Sequence, residues 1–288
     1  MNNAIQNTNN DQPILVLTAN GKTGKRVAQR LENQGRKVRY GSRSAAIPFD
    51  WNLPETWGPV LEGVHCVYMV YIPDLAIPQA LSAIQDLTHL AVQSGVQKLV
   101  LLSGRGEVEA QRCEQFVLNA NVASTIVRAS WFNQNFSEGE FLDMVLSGTI
   151  ALPAGDIHEP FIDIDDIADV VVAALTEAGH DGKVYELTGP RLLTFAQAVE
   201  SIAKASGRDL QYVPITSEQF TDALEDQHVP ADFIWLLNYL FTQVLDGRNA
   251  HVTDGVQEAL GRPARDFDLY AQNMAATGVW DVDSLVGN

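Results

Sequence analysis

Cysteine is scarce in this sequence, and long apolar runs are missing. The 288 residues contain two cysteines, Cys66 and Cys113, which lie far apart in sequence within apolar segments. This usage argues against a disulfide framework and favours reduced thiols, as in the cytoplasm. No apolar run approaches the roughly 18 residues of a membrane span, and the polar first residues lack the apolar core of a secretory signal. The sequence therefore predicts a cytoplasmic protein without a membrane partner.

Positive charge is also in short supply. The chain has 19 Lys and Arg against 36 Asp and Glu, a formal net charge of -17. A field of that sign repels phosphate backbones, so we expect no nucleic-acid partner. The basic residues are nevertheless concentrated between Lys22 and Arg43, where Glu32 is the one acid. This basic segment is typical either of a solvated helix face or of a site for a small anionic ligand.

Short apolar strands alternate with helical segments along the first part of the chain. With 46% hydrophobic and 19% charged residues, the composition is that of a globular protein. The alternation predicts an α/β fold, a doubly wound parallel sheet of the Rossmann type, with a smaller, mainly helical C-terminal substrate domain. We expect a disordered tail at 1–12, the Rossmann domain at 13–158 and the substrate domain at 159–288, with segment 160–188 returning to the Rossmann core.

A glycine turn follows the first predicted strand. The sequence Thr18-Ala-Asn20-Gly21-Lys-Thr-Gly24 precedes a helical segment, although Thr18 stands where the first of three glycines is usual. Such a turn lets the backbone approach a dinucleotide pyrophosphate at the positive end of a helix. A tight structural turn is the alternative, but the position after a buried strand favours dinucleotide binding.

The end of the second predicted strand indicates which dinucleotide is preferred. NAD sites usually place an acid there to accept from the ribose hydroxyl, whereas NADP sites place an arginine that binds the 2′-phosphate. The residues are Tyr40-Gly-Ser42-Arg43, with no acid. We therefore predict that NADP(H) is preferred, with NAD(H) as the other option. Arg43 would clamp the phosphate, helped by Ser42 and by Lys22 or Lys25.

Several motifs together resemble a known family. They are the glycine turn, Arg43 within GSRS, the Phe49-Asp-Trp51 tripeptide, the strand ending at Ser103, and Trp131-Phe-Asn-Gln-Asn-Phe136. These motifs are similar to those of the NmrA-like atypical short-chain dehydrogenase/reductases, especially the festuclavine-dehydrogenase-type ergot alkaloid reductases. The resemblance runs from about Ile14 to Trp280.

The resemblance implies an NAD(P)H-dependent reductase that transfers hydride to a small organic acceptor. It also implies that the pyrophosphate lies on Gly21, Lys22, Thr23 and Gly24. By the same resemblance, the adenine would lie beside Asp50 and Trp51, the nicotinamide ribose beside Tyr71 and Ile72, and the nicotinamide opposite Ser103.

The Tyr-x-x-x-Lys pair that short-chain dehydrogenases typically use as an acid is missing at all seven tyrosines. Three explanations remain open. The acceptor is already a cation, such as an iminium; or Glu107, Glu109 or His158 supplies the proton; or the protein is a non-catalytic NADP(H)-binding redox sensor. An isomerase or dehydratase that keeps its nucleotide as a hydride relay is a fourth, weaker reading.

The segment from Ser103 to Glu109 supplies the candidate catalytic residues Ser103, Arg105 and Glu107. A plain loop with an internal ion pair is the alternative, with equal support. Core packing is the expected role of Phe136. For Phe132, core packing is the alternative to lining the acceptor pocket. We predict no metal site, because no recognised ligand spacing occurs, and a monomer or homodimer that acts on a small molecule. The predicted acceptor pocket comprises Trp131, Phe132, Asn133, Asn135 and His158.

Overall fold

The computed structural model describes residues 12–282, so the predicted tail at 1–12 lies almost wholly outside the described residues. These residues form two compact units, built from separate stretches of chain. The first unit contains residues up to Ala129, Asp165–Glu186 and Gly255–Arg262. It is organised around a sheet of six strands, which are β1 (Ile14–Leu17), β2 (Val38–Gly41), β3 (Cys66–Met69), β4 (Lys98–Gly104), β5 (Ala123–Ala129) and β6 (Lys183–Leu187).

The strands are ordered β2-β1-β3-β4-β5-β6, and the first five pair in parallel. All four residues of β1 and of β3 are buried, as apolar runs covered on both faces require. The order reverses between β1 and β3, which makes that position the topological switch point of the sheet. The prediction of a doubly wound parallel sheet is confirmed.

Helices accompany these strands, and each buries apolar residues. The first begins directly after Gly21, buries Val27 and Leu31, and is followed by Gly35 in the left-handed conformation. Both features follow from the sequence pattern that predicts this helix. The helices of this unit are α1 (Lys22–Asn33), α2 (Trp57–Leu61), α3 (Pro78–Gln93), α4 (Val108–Leu118), α5 (Ile164–Thr176) and α6 (Gly255–Leu260), with a 3₁₀ turn at Pro54–Thr56.

The second unit contains residues 130–164, 187–254 and those from 263 onward, and has its own aromatic core. Phe136 is fully buried in it, as predicted, and accepts a hydrogen bond at its carbonyl from the Trp280 indole, 2.8 Å away. Its helices are Asn135–Glu138, Leu142–Ser147, Phe195–Ser206, Ser217–Asp226, Ala231–Tyr239 and Phe267–Ala276, with a π-helix at Leu240–Val244. Its strands pair as Thr149–Leu152 with Gln211–Pro214, and His158–Glu159 with Leu193–Thr194.

The chain first passes from one unit to the other after Ala129. The sequence pattern predicts a domain boundary at residue 158. The backbone N–H of Ser130 donates to the Leu187 carbonyl, and that of Ile162 donates to the Trp131 carbonyl. These bonds join the segment after β5 to other parts of the second unit. Within the described range, no helix has the length and apolarity needed to cross a bilayer.

Candidate functional site

A groove of about 540 Å³ lies where β1, β2 and β3 end. This is the switch point, the place where open α/β sheets bind ligands. Of the residues predicted to bind a cofactor, the groove brings together Thr18, Asn20, Gly21, Ser42, Arg43, Asp50, Trp51 and Ile72. The lining residues that the sequence pattern missed are Gly41, Ser44, Phe49, Asn52 and Pro73.

The glycine turn is shaped by close backbone contacts. Thr18 adopts a left-handed conformation with φ 52°, and its hydroxyl donates to the Val70 carbonyl at 2.9 Å. A Cβ atom added to Gly24 would lie 2.2 Å from the Thr18 carbonyl oxygen, so glycine is required there. Gly21 is the N-cap of α1 and has no side chain to cap the helix, and the first turn contains no acid. The amide end of α1 is therefore suited to a phosphate group. Lys22 and Thr23 belong to this first turn.

Most of the basic segment has structural partners. Arg30 forms ion pairs with Asp165 at 2.6 Å and with Asp169 at 2.7 Å, and Arg39 donates to two backbone carbonyls. Arg43 differs, because it is exposed, lines the groove and has no hydrogen-bond or ion-pair partner within residues 12–282. A solvated guanidinium beside an open amide turn is the arrangement expected of a 2′-phosphate site.

Aromatic side chains form one wall of the groove. The Trp51 indole donates to the Val70 carbonyl at 3.0 Å, and its ring lies 4.8 Å from that of Tyr71. Both residues are buried, whereas Ile72 is half exposed. Trp51 and Tyr71 therefore fix the shape of the wall, while Ile72 offers an apolar surface. An Asp50 carboxylate oxygen accepts from the Asn52 backbone at 2.9 Å, which orders the loop beside them.

Ser103, at the end of β4, belongs to a buried network of charged groups. Its hydroxyl donates to Glu114 at 2.6 Å, and Arg128 donates to the same carboxylate and, at 2.6 Å, to Glu186. The guanidinium of Arg105 lies 3.4 Å from Glu186. Burial opposes the ionisation of Glu186, but hydrogen bonds and charge from Arg128 and Arg105 outweigh it and lower its pKa. Because the Ser103 proton is committed to Glu114, its oxygen can only accept from a third group.

Glu107 lies apart from that network and against another acid. Its carboxyl group covers Gly104, where an added Cβ would lie 1.9 Å from Oε1. The side chain lies beside that of Asp74. The Asp74 carboxylate accepts from the Ala76 backbone at 2.7 Å. Burial first, and then the charge of Asp74, raises the pKa of Glu107 well above its usual range. Burial also raises the pKa of Asp74.

Asp74 is a residue that the sequence pattern missed. The signal available was an acid directly after Ile72 and Pro73, both of which line the groove. Nothing in the sequence near Asp74 indicates that Glu107, more than thirty positions later, lies beside it. Arg105, in the same loop as Glu107, contacts Glu186 at 3.4 Å.

The predicted acceptor-pocket residues lie in the second unit. The Trp131 ring packs 4.9 Å from Phe241 and 5.5 Å from Phe195, at the edge of the aromatic core. Phe132 is half-buried and forms an isolated bridge with Ile162. Trp131 therefore supports the core, whereas Phe132 is not among the rings that pack within it.

The polar members of the predicted pocket occupy different environments. Asn133 is fully buried, and neither atom of its amide group has a hydrogen-bond partner among residues 12–282. Such a group is normally satisfied by a water molecule or a ligand. Asn135 is half-buried, and its carbonyl accepts from the Phe141 backbone. His158 is exposed on a short strand, where its backbone pairs with Thr194.

The acids near the start of α5 have structural roles. Asp163 accepts from the Gln134 amide at 2.7 Å. Asp165 pairs with Arg30, and Asp166 pairs with Arg262 at 2.7 Å. Within residues 12–282, no three His, Cys, Asp or Glu side chains are grouped as a metal site would require.

Comparison with known proteins identifies the relatives of this chain. No family model matches it. The chain is 30% identical over 294 residues to an NAD(P)H azoreductase of Xenophilus azovorans, covering 91% of this chain and 98% of that protein. It is also 30% identical over 280 residues to agroclavine dehydrogenase of Claviceps fusiformis, covering 90% and 96%.

Solved structures extend the likeness to the whole fold. NmrA, described as a negative transcriptional regulator in complex with NAD, matches with a TM-score of 0.71 at 15% identity, over 97% of this chain and 99% of NmrA. At that identity the match shows the fold. Together with the relatives at 30% identity, it shows that this chain belongs to the NmrA-like family of atypical short-chain dehydrogenase/reductases.

Proposed function

We propose that this protein is an NAD(P)H-dependent reductase that adds hydride to a small organic acceptor, with NADP(H) held in the groove at the switch point. The relatives named as an NAD(P)H azoreductase and a dehydrogenase agree with this reaction class, so the prediction of an NAD(P)H-dependent oxidoreductase is confirmed. The observation that carries the assignment of the groove is Arg43, an unpaired guanidinium beside the uncapped start of α1.

Each part of the groove has a role in this proposal. The amide groups of the Gly21–Gly24 turn bind the pyrophosphate, and Arg43 with Ser42 binds the 2′-phosphate. Asp50 and Trp51 border the adenine, and Tyr71 and Ile72 border the nicotinamide ribose. Ser103, whose proton is held by Glu114, accepts a hydrogen bond from the ligand. When bound, NADPH supplies the hydride.

The remaining assignments are proposals of the same kind. The acceptor lies against Phe132 and Asn133, with Trp131, Asn135 and His158 around it. The buried Asn133 amide supports this placement, because it has hydrogen-bonding capacity to offer to a ligand. We place the protein in the cytoplasm, as a monomer or homodimer that does not bind nucleic acid. The Rossmann domain and the substrate domain divide the two tasks of binding cofactor and acceptor.

Calorimetric titration of NADPH and NADH tests the groove. Arg43→Ala should weaken NADPH binding by about 1–3 kcal/mol, roughly 5- to 150-fold, because it removes a charge-assisted phosphate contact. NADH binding should change little, since NADH lacks the 2′-phosphate. Arg112→Ala is the matched control, because Arg112 is exposed on α4 and does not line the groove. Equal weakening of both dinucleotides, or binding of neither, would refute the assignment.

Oxidation of NADPH in the presence of acceptors tests the reductase activity. We expect turnover with at least one acceptor among quinones, azo dyes and cationic dyes. A redox sensor would instead bind both NADPH and NADP⁺, and NADPH would not be oxidised by any of the acceptors. This measurement separates the reductase from the non-catalytic alternative.

A further inference from the structure

Two carboxyl groups meet at the carboxyl edge of the sheet, beside the groove. Asp74 follows Pro73, a lining residue, in the segment after β3, and Glu107 follows β4. Because β3 and β4 are adjacent and parallel, both residues lie at the edge where a doubly wound sheet binds its ligands. The pair therefore lies at the ligand-binding edge of the sheet, next to Pro73 and outside the lining of the groove itself.

One oxygen of this pair lacks a partner. Glu107 is 6% exposed, and its Oε2 atom is buried with no hydrogen-bond partner among the described residues. An ionised carboxylate in that position would be left without solvent or donors, which is costly. A protonated carboxyl group is neutral and can hydrogen-bond to Asp74 through one oxygen. The geometry therefore favours one proton held between the two acids.

The surrounding groups reinforce this state. Negative charge from Asp74, Glu109 and Glu114 acts on Glu107, and burial and these charges raise its pKa. Arg128, which could have neutralised it, contacts Glu114 and Glu186 instead, and Arg105 contacts Glu186. Cys113, on α4, lies within electrostatic range of both acids, and burial first, then nearby carboxylates, raise the pKa of its thiol to about 11.

We propose that Asp74 and Glu107 share one proton and that Glu107 donates it to an uncharged, π-conjugated acceptor, such as a quinone, an azo compound or a conjugated carbonyl. This inference rests on the proposed reductase function. The acceptor gains two electrons as hydride from the bound cofactor, which is oxidised. The Glu107 O–H bond breaks while an O–H or N–H bond forms on the acceptor. The pair, left as two carboxylates, then takes a proton from water.

The proposal distinguishes between classes of acceptor. A neutral acceptor that receives hydride becomes an anion, and a proton donor stabilises that charge as it develops. A cationic acceptor, such as an iminium or a triarylmethane dye, is neutralised by hydride alone. The acid pair should therefore matter for the first class and not for the second.

Steady-state reduction of a benzoquinone and of a cationic triarylmethane dye by wild type and Glu107→Gln tests this distinction. Glu107→Gln should lower kcat for the quinone by about 10²–10⁴-fold, the usual contribution of a general acid. Reduction of the cationic dye and the calorimetric affinity for NADPH should be retained. Asp74→Asn should have a smaller effect on the quinone, because the Glu107 proton remains. Glu62→Gln, an exposed control outside the groove, should change neither reaction.

The pH profile and infrared spectroscopy give independent readouts. Quinone kcat in the wild type should fall at alkaline pH, where the pair loses its proton, and the profile of Glu107→Gln should be flat. Infrared spectra of the protein without cofactor at neutral pH should contain the carbonyl stretch of a protonated carboxyl group, lost in Glu107→Gln and kept in Glu62→Gln. Absence of this band from the wild type would overturn the shared proton.

The failures of the two proposals are distinguishable. If the wild-type protein does not bind NADPH, the proposed function is overturned. Normal NADPH binding and normal reduction of the cationic dye, with the quinone unaffected by Glu107→Gln or reduced by no variant, would overturn only the proton donor. An equal loss with the quinone and the cationic dye would show a structural role for Glu107 and would also overturn it.

Discussion

Two groups of acidic residues lie near the ends of β4 and β5, and they differ in what accompanies them. Glu114 and Glu186 share the guanidinium of Arg128, which hydrogen-bonds to both. Asp74 and Glu107 have each other. Positive partners lower the pKa of Glu186 against the effect of burial, whereas burial and like charge raise that of Glu107. Burial disfavours the charged form of both groups, and the cationic partners of Glu186 reverse that effect.

The comparison separates two uses of the same residue type. A compensated carboxylate keeps a fixed charge and can orient neighbours, as Glu114 orients the Ser103 hydroxyl. A carboxyl group whose pKa is raised can hold a proton and donate it, and so can take part in chemistry. Removing the cation from the first group should therefore lower stability, whereas removing the ionisable proton from the second should change how stability depends on pH.

The largest effect is expected from Arg128→Ala. This change leaves Glu114, which is 1% exposed, buried without its cation. Removing one partner of a buried ion pair typically costs about 3–5 kcal/mol of unfolding free energy. Urea denaturation should show this loss, while Arg112→Ala should stay within about 0.5 kcal/mol of wild type. A loss below about 1 kcal/mol for Arg128→Ala would mean that Glu114 is not held by charge.

Glu107→Gln should change how stability depends on pH. The pKa of glutamate in an unfolded chain is about 4.3, and the pKa of Glu107 in the folded protein is higher. Between these values the folded state binds more protons than the unfolded state, so the unfolding free energy of the wild type falls as pH rises. Glu107→Gln should reduce this fall, as measured by urea midpoints at a series of pH values. The same slope in variant and wild type would contradict the raised pKa.

Gly104→Ala tests the same point while keeping the carboxyl group. The added Cβ would occupy the position of the Glu107 carboxyl, which would have to move away from Gly104. We expect a pH dependence closer to that of Glu107→Gln. Gly58→Ala is the matched control, because a Cβ there meets nothing within 4 Å. If only Gly58→Ala altered the slope, the placement of Glu107 would be wrong.

The smallest effect is expected at an ion pair on the surface. Arg248 and Asp246 form a bond of 2.7 Å, and both side chains are largely exposed. Exposed pairs are screened by solvent, so Arg248→Ala should leave the urea midpoint unchanged within error. A shift comparable with that of Arg128→Ala would show that burial is not what separates the two pairs.

Much of the fold and of the groove follows from local sequence. The buried strand β1, the turn from Gly21 to Gly24, and Arg43 are adjacent in the chain, so spacing alone predicts their association. Thr18 in place of a glycine is accommodated because its hydroxyl bonds to Val70, a contact that the sequence does not show. The groove was predictable where neighbouring residues build it.

The acidic pair and the charged network were not predictable in the same way. Glu186 is 58 positions from Arg128, and Asp74 is followed by a strand and a helix before Glu107 is reached. Their partners are decided by which strands are adjacent in the sheet. The basic segment shows the opposite limit of sequence reasoning. Its high density of Lys and Arg indicated a ligand site, but Arg30 and Arg39 form contacts within the protein.

The alternation of the chain between its two units has a consequence for truncation and domain exchange. The chain leaves the first unit after Ala129, re-enters it at Asp165–Glu186, and returns again at Gly255–Arg262. A fragment cut near residue 158 would keep Arg30 and Arg128 but discard Asp169 and Glu186, their partners. Recombination with a relative would therefore have to transfer the first two stretches together to preserve those charge pairs, and the third with them to keep Arg262 paired with Asp166.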